Sequence, residues 1–156
     1  MKLSSRSARF CALFFLTTAI LAAKPNFSGE WKMNLSKSDF GQLPAPDKLI
    51  RTIKHDDPEL QIKTQQAGAQ GEVTSELKYT ADGKEATNTT RGGAVKGTCK
   101  WDGDVLVVES KRKIQNVEIN QMDRWVISTH GKSMMVETAI KTPQGDLNLK
   151  IAFDKQ

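Results

Sequence analysis

The sequence predicts an all-β protein, a single antiparallel up-and-down β-barrel of about 8–10 strands preceded by a signal peptide. Two observations carry the barrel. Turn pairs recur along the chain, at Asp82-Gly83, Gly92-Gly93, Asp102-Gly103, His130-Gly131 and Gln144-Gly145. Between them apolar and polar residues mostly alternate, the period of a strand with one buried face. A third observation concerns the start of the chain. Lys2, Arg6 and Arg9 precede an apolar run over residues 10–21, and Ala22 and Ala23 follow it. That order of charge, apolar run and small residues is the order of a secretory leader.

The apolar run is shorter than the roughly 20 residues a membrane span needs. Cys11 stands at its start, not at its end where a lipid-anchored cysteine would lie. The expected organisation is therefore a signal peptide at 1–23 and one barrel domain at 24–156, secreted or periplasmic, with no membrane anchor once the leader is gone.

The strands follow in order. Residues 27–35 place Phe27, Gly29, Trp31, Met33 and Leu35 on one face. Residues 35–47 contain Pro44 and Pro46, which exclude a regular helix. An ordered loop is expected there, with one short helical turn at 36–40. Residues 48–55 form a strand of mixed parity, and Asp56-Asp57-Pro58 a turn. Leu60, Ile62 and Thr64 then share a face, as do Val73, Ser75, Leu77 and Tyr79 after a turn at 68–71. Residues 84–91 are almost wholly polar and give the weakest strand pattern. Strands at 95–101, 105–113, 116–128, 132–141 and 146–155 complete the set.

One strand breaks its own rule. Val117, Ile119, Trp125 and Ile127 share a parity with Gln121 and Asp123. Either a bulge shifts the phase near Gln121-Met122-Asp123, or two polar groups point into the barrel. The second alternative would supply the few polar anchors that a mostly apolar ligand site uses.

Charge excludes little and promises little. The chain carries 23 basic and 18 acidic residues. Three of the basic ones lie in the leader, so the remainder is nearly balanced. Nucleic-acid binding wants a concentrated basic face. The densest cluster, Lys111-Arg112-Lys113, reads as a solvated strand end. Cys99 is the only cysteine outside the leader, so no disulfide can form within the mature chain. Its parity with Val95 and Trp101 turns it inward, as a small apolar residue. His55-Asp56-Asp57 reads as a solvated turn, because adjacent turn residues seldom converge on one metal ion. His130 precedes Gly131 in a turn and is expected to be exposed. No histidine lies beside a recognisable nucleophile, and no Gly-x-Ser-x-Gly segment exists. Catalytic residues, metal ligands and cofactors are all expected to be absent, and the protein is not expected to be an enzyme.

Several segments resemble the fatty-acid-binding branch of the calycin superfamily, which also holds the lipocalins. Phe27-Ser-Gly29-Glu-Trp31-Lys-Met33 is similar to its opening Gly-x-Trp strand. Leu60-Gln-Ile62-Lys-Thr64 and Ser75-Glu-Leu77-Lys-Tyr79-Thr-Ala-Asp82-Gly83-Lys84 follow the order of its middle strands. Gly92-Gly93, Lys100-Trp101-Asp102-Gly103 and the stretch from Gly131-Lys132 to Val136-Glu137 continue the likeness. The resemblance implies an exported bacterial lipocalin-like protein. It also implies an arginine stacked over the first-strand tryptophan, here Arg124 over Trp31. Two features of the family are missing. Residues 35–47 are too short and proline-rich for its helical lid. Ile151-Ala-Phe153-Asp-Lys155 lacks the Arg and Tyr that bind a carboxylate near the end of its last strand.

The functional expectation is a carrier of a small hydrophobic ligand, lipid or similar, in the lumen. The expected lining is Trp31, Met33, Gln121, Asp123, Trp125, Met134, Val136 and Ile151. Gln121, Asp123 or Arg124 would supply specificity, and Trp31 would close the floor. The alternative is a protein-binding module, such as an enzyme inhibitor of the periplasm or extracellular space, with a filled barrel and working loops at 35–47 and 67–71. An open cavity of roughly 300 Å³ or more would favour the carrier.

Overall fold

A computed structural model describes residues 23–69 and 71–156. Most of the expected leader lies outside the described residues. Ten strands form one antiparallel sheet: β1 (Gly29–Met33), β2 (Lys48–Asp56), β3 (Glu59–Gly68), β4 (Gly71–Thr80), β5 (Asp82–Thr90), β6 (Gly93–Asp102), β7 (Val105–Ile114), β8 (Val117–Ile127), β9 (Ser133–Thr142) and β10 (Gly145–Lys155). The order is β4-β3-β2-β1-β10-β9-β8-β7-β6-β5. Every pair of consecutive strands is hydrogen-bonded except β4 with β5, and β1 joins the two halves by pairing with both β2 and β10. The sheet curls until β4 and β5 face each other, and the barrel is nearly closed.

The inward parity is the one the alternation predicts. Trp31, Leu60, Ile62, Cys99, Leu106, Trp125, Met134, Val136, Ile151 and Phe153 form one buried core. The polar stretch at β5 is a strand after all, because its ladder with β6 runs from Glu85 to Thr90. The turn glycines supply the expected geometry. Gly103, at φ 58°, reverses the chain between β6 and β7 in a conformation that side chains with a Cβ resist. Between β7 and β8 the same work falls to Gln115 and Asn116, at φ 48° and 65°, a turn without any glycine.

One end of the barrel is sealed. Phe27 is fully buried there, and its carbonyl accepts a hydrogen bond from Trp31 Nε1 at 2.8 Å. Its ring packs edge-on against Trp125 at 5.8 Å and beside Trp101 at 6.1 Å. His55 is not in a solvated turn, contrary to the sequence expectation. It is the last inward position of β2, buried beside Phe27, and its Nδ1 accepts the Phe27 N–H at 3.2 Å. The turn itself is confined to Asp57 and Pro58. Asp57 accepts from Trp101 Nε1 at 2.8 Å, which ties that turn to β6. His130 is exposed, as expected.

At the other end, residues 34–47 carry only a single 3-10 turn, Leu35–Lys37. The segment is pinned flat along β10. Asp39 and Lys150 exchange both backbone hydrogen bonds, at 2.7 and 2.8 Å, and Ser38 Oγ accepts from Ala152 N–H at 3.0 Å. No helical lid covers this end among the described residues.

Candidate functional site

The inward faces grade from sealed to open. Along β9, Met134, Val136 and Thr138 are buried, and Ile140 is half-buried. Along β10, Phe153, Ile151 and Leu149 give way to half-buried Leu147. On β4, Tyr79 is buried, Leu77 and Ser75 are half-buried, and Val73 is 40% exposed. The lumen therefore opens toward the end where the turns β3–β4, β5–β6, β7–β8 and β9–β10 gather with the 34–47 segment.

A polar layer lies where the gradient turns. β8 pairs without interruption with β7 from Val117 to Trp125, so there is no bulge at Gln121-Met122-Asp123. The ladder hydrogen bonds hold the phase, and the alternation carries Gln121 and Asp123 inward with Trp125. Asp123 is 7% exposed and hydrogen-bonded. Its Oδ1 accepts from Thr138 Oγ1 at 2.7 Å and from Gln121 Nε2 at 2.9 Å, and its Oδ2 lies 3.1 Å from the same nitrogen. Facing it from β2 is Arg51, whose guanidinium stacks 4.9 Å from the Trp125 ring centre and 5.1 Å from that of Phe153.

Arg51 is only partly covered as a residue, yet its Nε and Nη1 are sealed from solvent and have no hydrogen-bond partner among the described residues. Burial lowers its pKa from the ordinary value, and the Asp123 charge works against that shift. Three further donors share this condition: Tyr79 Oη, Arg112 Nε and Trp125 Nε1. The Tyr79 hydroxyl is pushed up to about 12, first by burial and then by Asp123 and Cys99, with Arg112 opposing. It stays a protonated donor at neutral pH. An unmet buried polar group costs about 1–3 kcal/mol, and more when charged. Two guanidiniums against one carboxylate leave the layer positively charged. His55 Nε2 is also buried and without a partner, but it lies at the sealed end, 3.6 Å from Asp57 Oδ1.

The expected lining residues divide by position. Gln121 and Asp123 come together by direct contact, and Trp125 carries the stacked Arg51 guanidinium. Met134, Val136 and Ile151 belong to the packed core, and Met33 is partly buried against it. Trp31 seals the floor with Lys155 Nζ 5.2 Å from its ring centre. Arg124 does not stack on Trp31. Its parity sets it on the outer wall, where it pairs with Asp102 at 2.9 Å. Arg51, Tyr79, Arg112 and Thr138 were not among the expected site residues. The signal for Arg51 was present, since Leu49, Arg51, Ile53 and His55 share one parity.

A hollow of about 790 Å³ lies on the outer wall. It crosses β5 to β9 and is bordered by Lys96, Lys111, Asn120, Met122, Ala139 and Lys141. Under it β6 and β7 close up at Gly97, where a Cβ would collide with the Glu109 carbonyl oxygen. Among the described residues, no group of three or more His, Cys, Asp or Glu is placed to hold a metal ion, and no helix is long and apolar enough to cross a membrane.

No family model matches the chain, and no curated protein does. Solved structures do. The fluorescent protein UnaG aligns at 16% identity over 83% of this chain and 97% of its own, with a TM-score of 0.56. Zebrafish ileal bile acid-binding protein, complexed with cholic acid, aligns at 19% identity over 83% of this chain and 98% of its own, with a TM-score of 0.54. Human cRBP IV aligns at 18% identity over 85% and 99%, also with a TM-score of 0.54. These likenesses, the ten-strand order and the seam between β4 and β5 agree on the fold: the chain shares the antiparallel up-and-down β-barrel of these proteins.

Proposed function

We propose that this protein is an exported, non-enzymatic binder of a small, largely apolar molecule, held in the barrel lumen. The observation that carries the reading is the gradient of the inward faces, packed and aromatic at one end and partly exposed at the other. A molecule entering at the open end would remove apolar surface from water, at roughly 25 cal/mol per Å². The zebrafish neighbour, complexed with cholic acid, supports the same use of the fold. Export rests on the leader-like residues 1–23.

The test is direct. The exported protein, analysed by native mass spectrometry, should carry a co-purifying small molecule. After delipidation it should bind members of a broad panel of lipophilic probes. Failure to bind any of them sinks the carrier reading. Retention of the intact N-terminus in the cytoplasm sinks export.

A second reading, a protein-binding module or enzyme inhibitor, is favoured by the outer hollow across β5 to β9. Met122 on its wall is 41% exposed. A Met122→Glu variant separates the two readings. It should abolish capture of a protein partner if the outer wall is the working surface, and leave probe binding untouched if the lumen is.

A further inference from the structure

Three lysines stand in one cross-strand line over the outer hollow. Lys96 on β6 is in register with Lys111 on β7, Lys111 with Asn120 on β8, and Asn120 with Lys141 on β9. Neighbouring strands lie about 4.8 Å apart, so the line is about 14 Å long. Like charges directly opposite each other, as at Lys96 and Lys111, weaken a sheet. Lys96 finds some relief from Glu85 at 3.9 Å. Lys111 and Lys141 are exposed and belong to no ion pair among the described residues. The neighbouring outward row holds no cation. Glu109, Met122 and Ala139 follow one another there in register, and Glu109 is turned to Lys100 at 3.2 Å. Met122 is 41% exposed beside the lysine line. The outer wall thus sets an uncompensated cationic row next to an uncovered apolar side chain.

We infer that the outer hollow receives an acidic segment of a partner protein, with carboxylates along the lysine line and an apolar side chain against Met122. The inference names the partner class for the outer-wall reading above, on which it rests, and does not need the lumen. Carboxylates offset the repulsion between Lys96 and Lys111 that the free protein bears. Asn120 adds an amide donor between Lys111 and Lys141, since its Nδ2 is held only by a 3.4 Å bond to Glu118. Charges at the rim steer and orient the segment, and a methionine at the centre suits a protein interface. The hollow also discriminates among anions. Glu85, Glu109 and Glu118 border it. They repel a chain with a charge on every unit, such as a nucleic acid. A peptide can space its carboxylates and set neutral side chains opposite these glutamates. A bilayer surface is flat on this scale and does not enter a hollow.

The test is biolayer interferometry of the protein on a biotin-tethered peptide of repeated Glu-Glu-Leu, at low ionic strength. The comparators are the same peptide with glutamine for glutamate, polyglutamate without leucine, and a thymidine oligonucleotide. The acidic peptide should bind about tenfold more tightly than its glutamine form, and the difference should shrink as salt is raised. Lys111→Gln and Lys141→Gln should each weaken it a few-fold and together about tenfold, as exposed charge pairs do. Both side chains are exposed, so the fold should persist, and binding of a lipophilic probe should not change. Met122→Glu should abolish binding of the peptide. Equal binding of the glutamate and glutamine peptides, lost on Met122→Glu, overturns the acidic partner and leaves the outer-wall reading standing. Equally tight binding of polyglutamate or the oligonucleotide overturns the peptide class, because the row is then a general anion trap. A preference that survives the double lysine substitution places the segment elsewhere and overturns the assignment to this line. Binding of no peptide overturns the inference, whereas the outer-wall reading falls only if Met122→Glu also leaves partner capture intact.

Discussion

Asn88 on β5 holds both backbone groups of Lys78 on β4. Its Oδ1 accepts the Lys78 N–H at 2.7 Å, and its Nδ2 donates to the Lys78 carbonyl at 3.0 Å. A side-chain amide thus does the work of a missing rung where the sheet meets itself. β4 and β5 are the two edges of the ladder, and an edge with unmet backbone groups is open to other pairings.

Asn88→Ala should therefore loosen the seam. Asn88 is 9% exposed, and its loss leaves two backbone groups poorly met. A destabilisation of about 1–3 kcal/mol is expected in urea unfolding. Amide exchange should speed up on β4 and β5 and stay slow on β9 and β10. Asn88→Asp keeps the acceptor but turns a buried carboxylate oxygen onto the Lys78 carbonyl, so at neutral pH it should destabilise at least as much as Asn88→Ala. Uniform exchange across all strands would show that the bridge is incidental.

Arg51→Met is expected to stabilise the ligand-free protein. The substitution removes a buried cation whose Nε and Nη1 lack partners and keeps the stem that packs on Trp125 and Phe153. Apolar replacement of a whole buried ion pair is often neutral or favourable by about 1–4 kcal/mol, and loss of one partner costs about 3–5 kcal/mol. Asp123 keeps its bonds to Thr138 and Gln121 without Arg51, so the unmet donors of Arg51 are the larger cost. The urea midpoint should rise with an unchanged slope. A residue that weakens the empty fold is the trade-off expected of a working site. A falling midpoint would mark Arg51 as structural support for Asp123.

The alternation made the barrel legible, because its period is a direct consequence of the pleat. It also placed Trp31, Trp125 and Phe153 inward without error. The polar layer was harder to see, because residue type and parity disagree there. Arg112 sits between Lys111 and Lys113, and the charge of the triplet suggested solvent. Parity with Ser110 and Val108 instead turns Arg112 inward. Gln121 and Asp123 raised the same conflict, and a bulge was the easier resolution. The intact β7–β8 ladder decides for inward polar groups. His55 was misread because its neighbours Asp56 and Asp57 are turn formers. The dent at Gly97 and the outer hollow have no signal in alternation, since they depend on how five strands curve together.

Phe27→Ala should be among the most damaging single changes. The side chain is fully buried against Trp101, Trp125 and His55. Truncation of a buried Phe costs about 3–5 kcal/mol. Thermal unfolding and the near-ultraviolet circular dichroism of the tryptophans should both report the loss. The same argument bears on the expected leader. Removal of residues through Ala23 keeps Phe27 in place, and Lys24 Nζ still reaches the Gly103 carbonyl at 2.6 Å. Processing at or beyond Phe27 would open the sealed end, so a mature N-terminus there, with unchanged stability, would contradict this account of the floor.

Alkaline pH should weaken the fold through Tyr79 and Cys99. Burial raises both, Tyr79 from 10.0 to about 12 and the Cys99 thiol from 9.0 to about 12. Each is an acid that holds its proton more tightly when folded. The unfolded chain therefore binds fewer protons than the folded one above about pH 9, and stability falls as pH rises. It is full below pH 9 and is lost progressively toward pH 12, by about 1 kcal/mol or more for the pair after allowance for partial solvent screening. Tyr79→Phe and Cys99→Ala should each flatten the slope of stability between pH 9 and 11, and together remove most of it. In the folded protein at pH 8 the Cys99 thiol should react with a disulfide reagent far more slowly than a free cysteine. Rapid reaction, or a slope that the double variant leaves intact, would place the alkaline weakness in other groups.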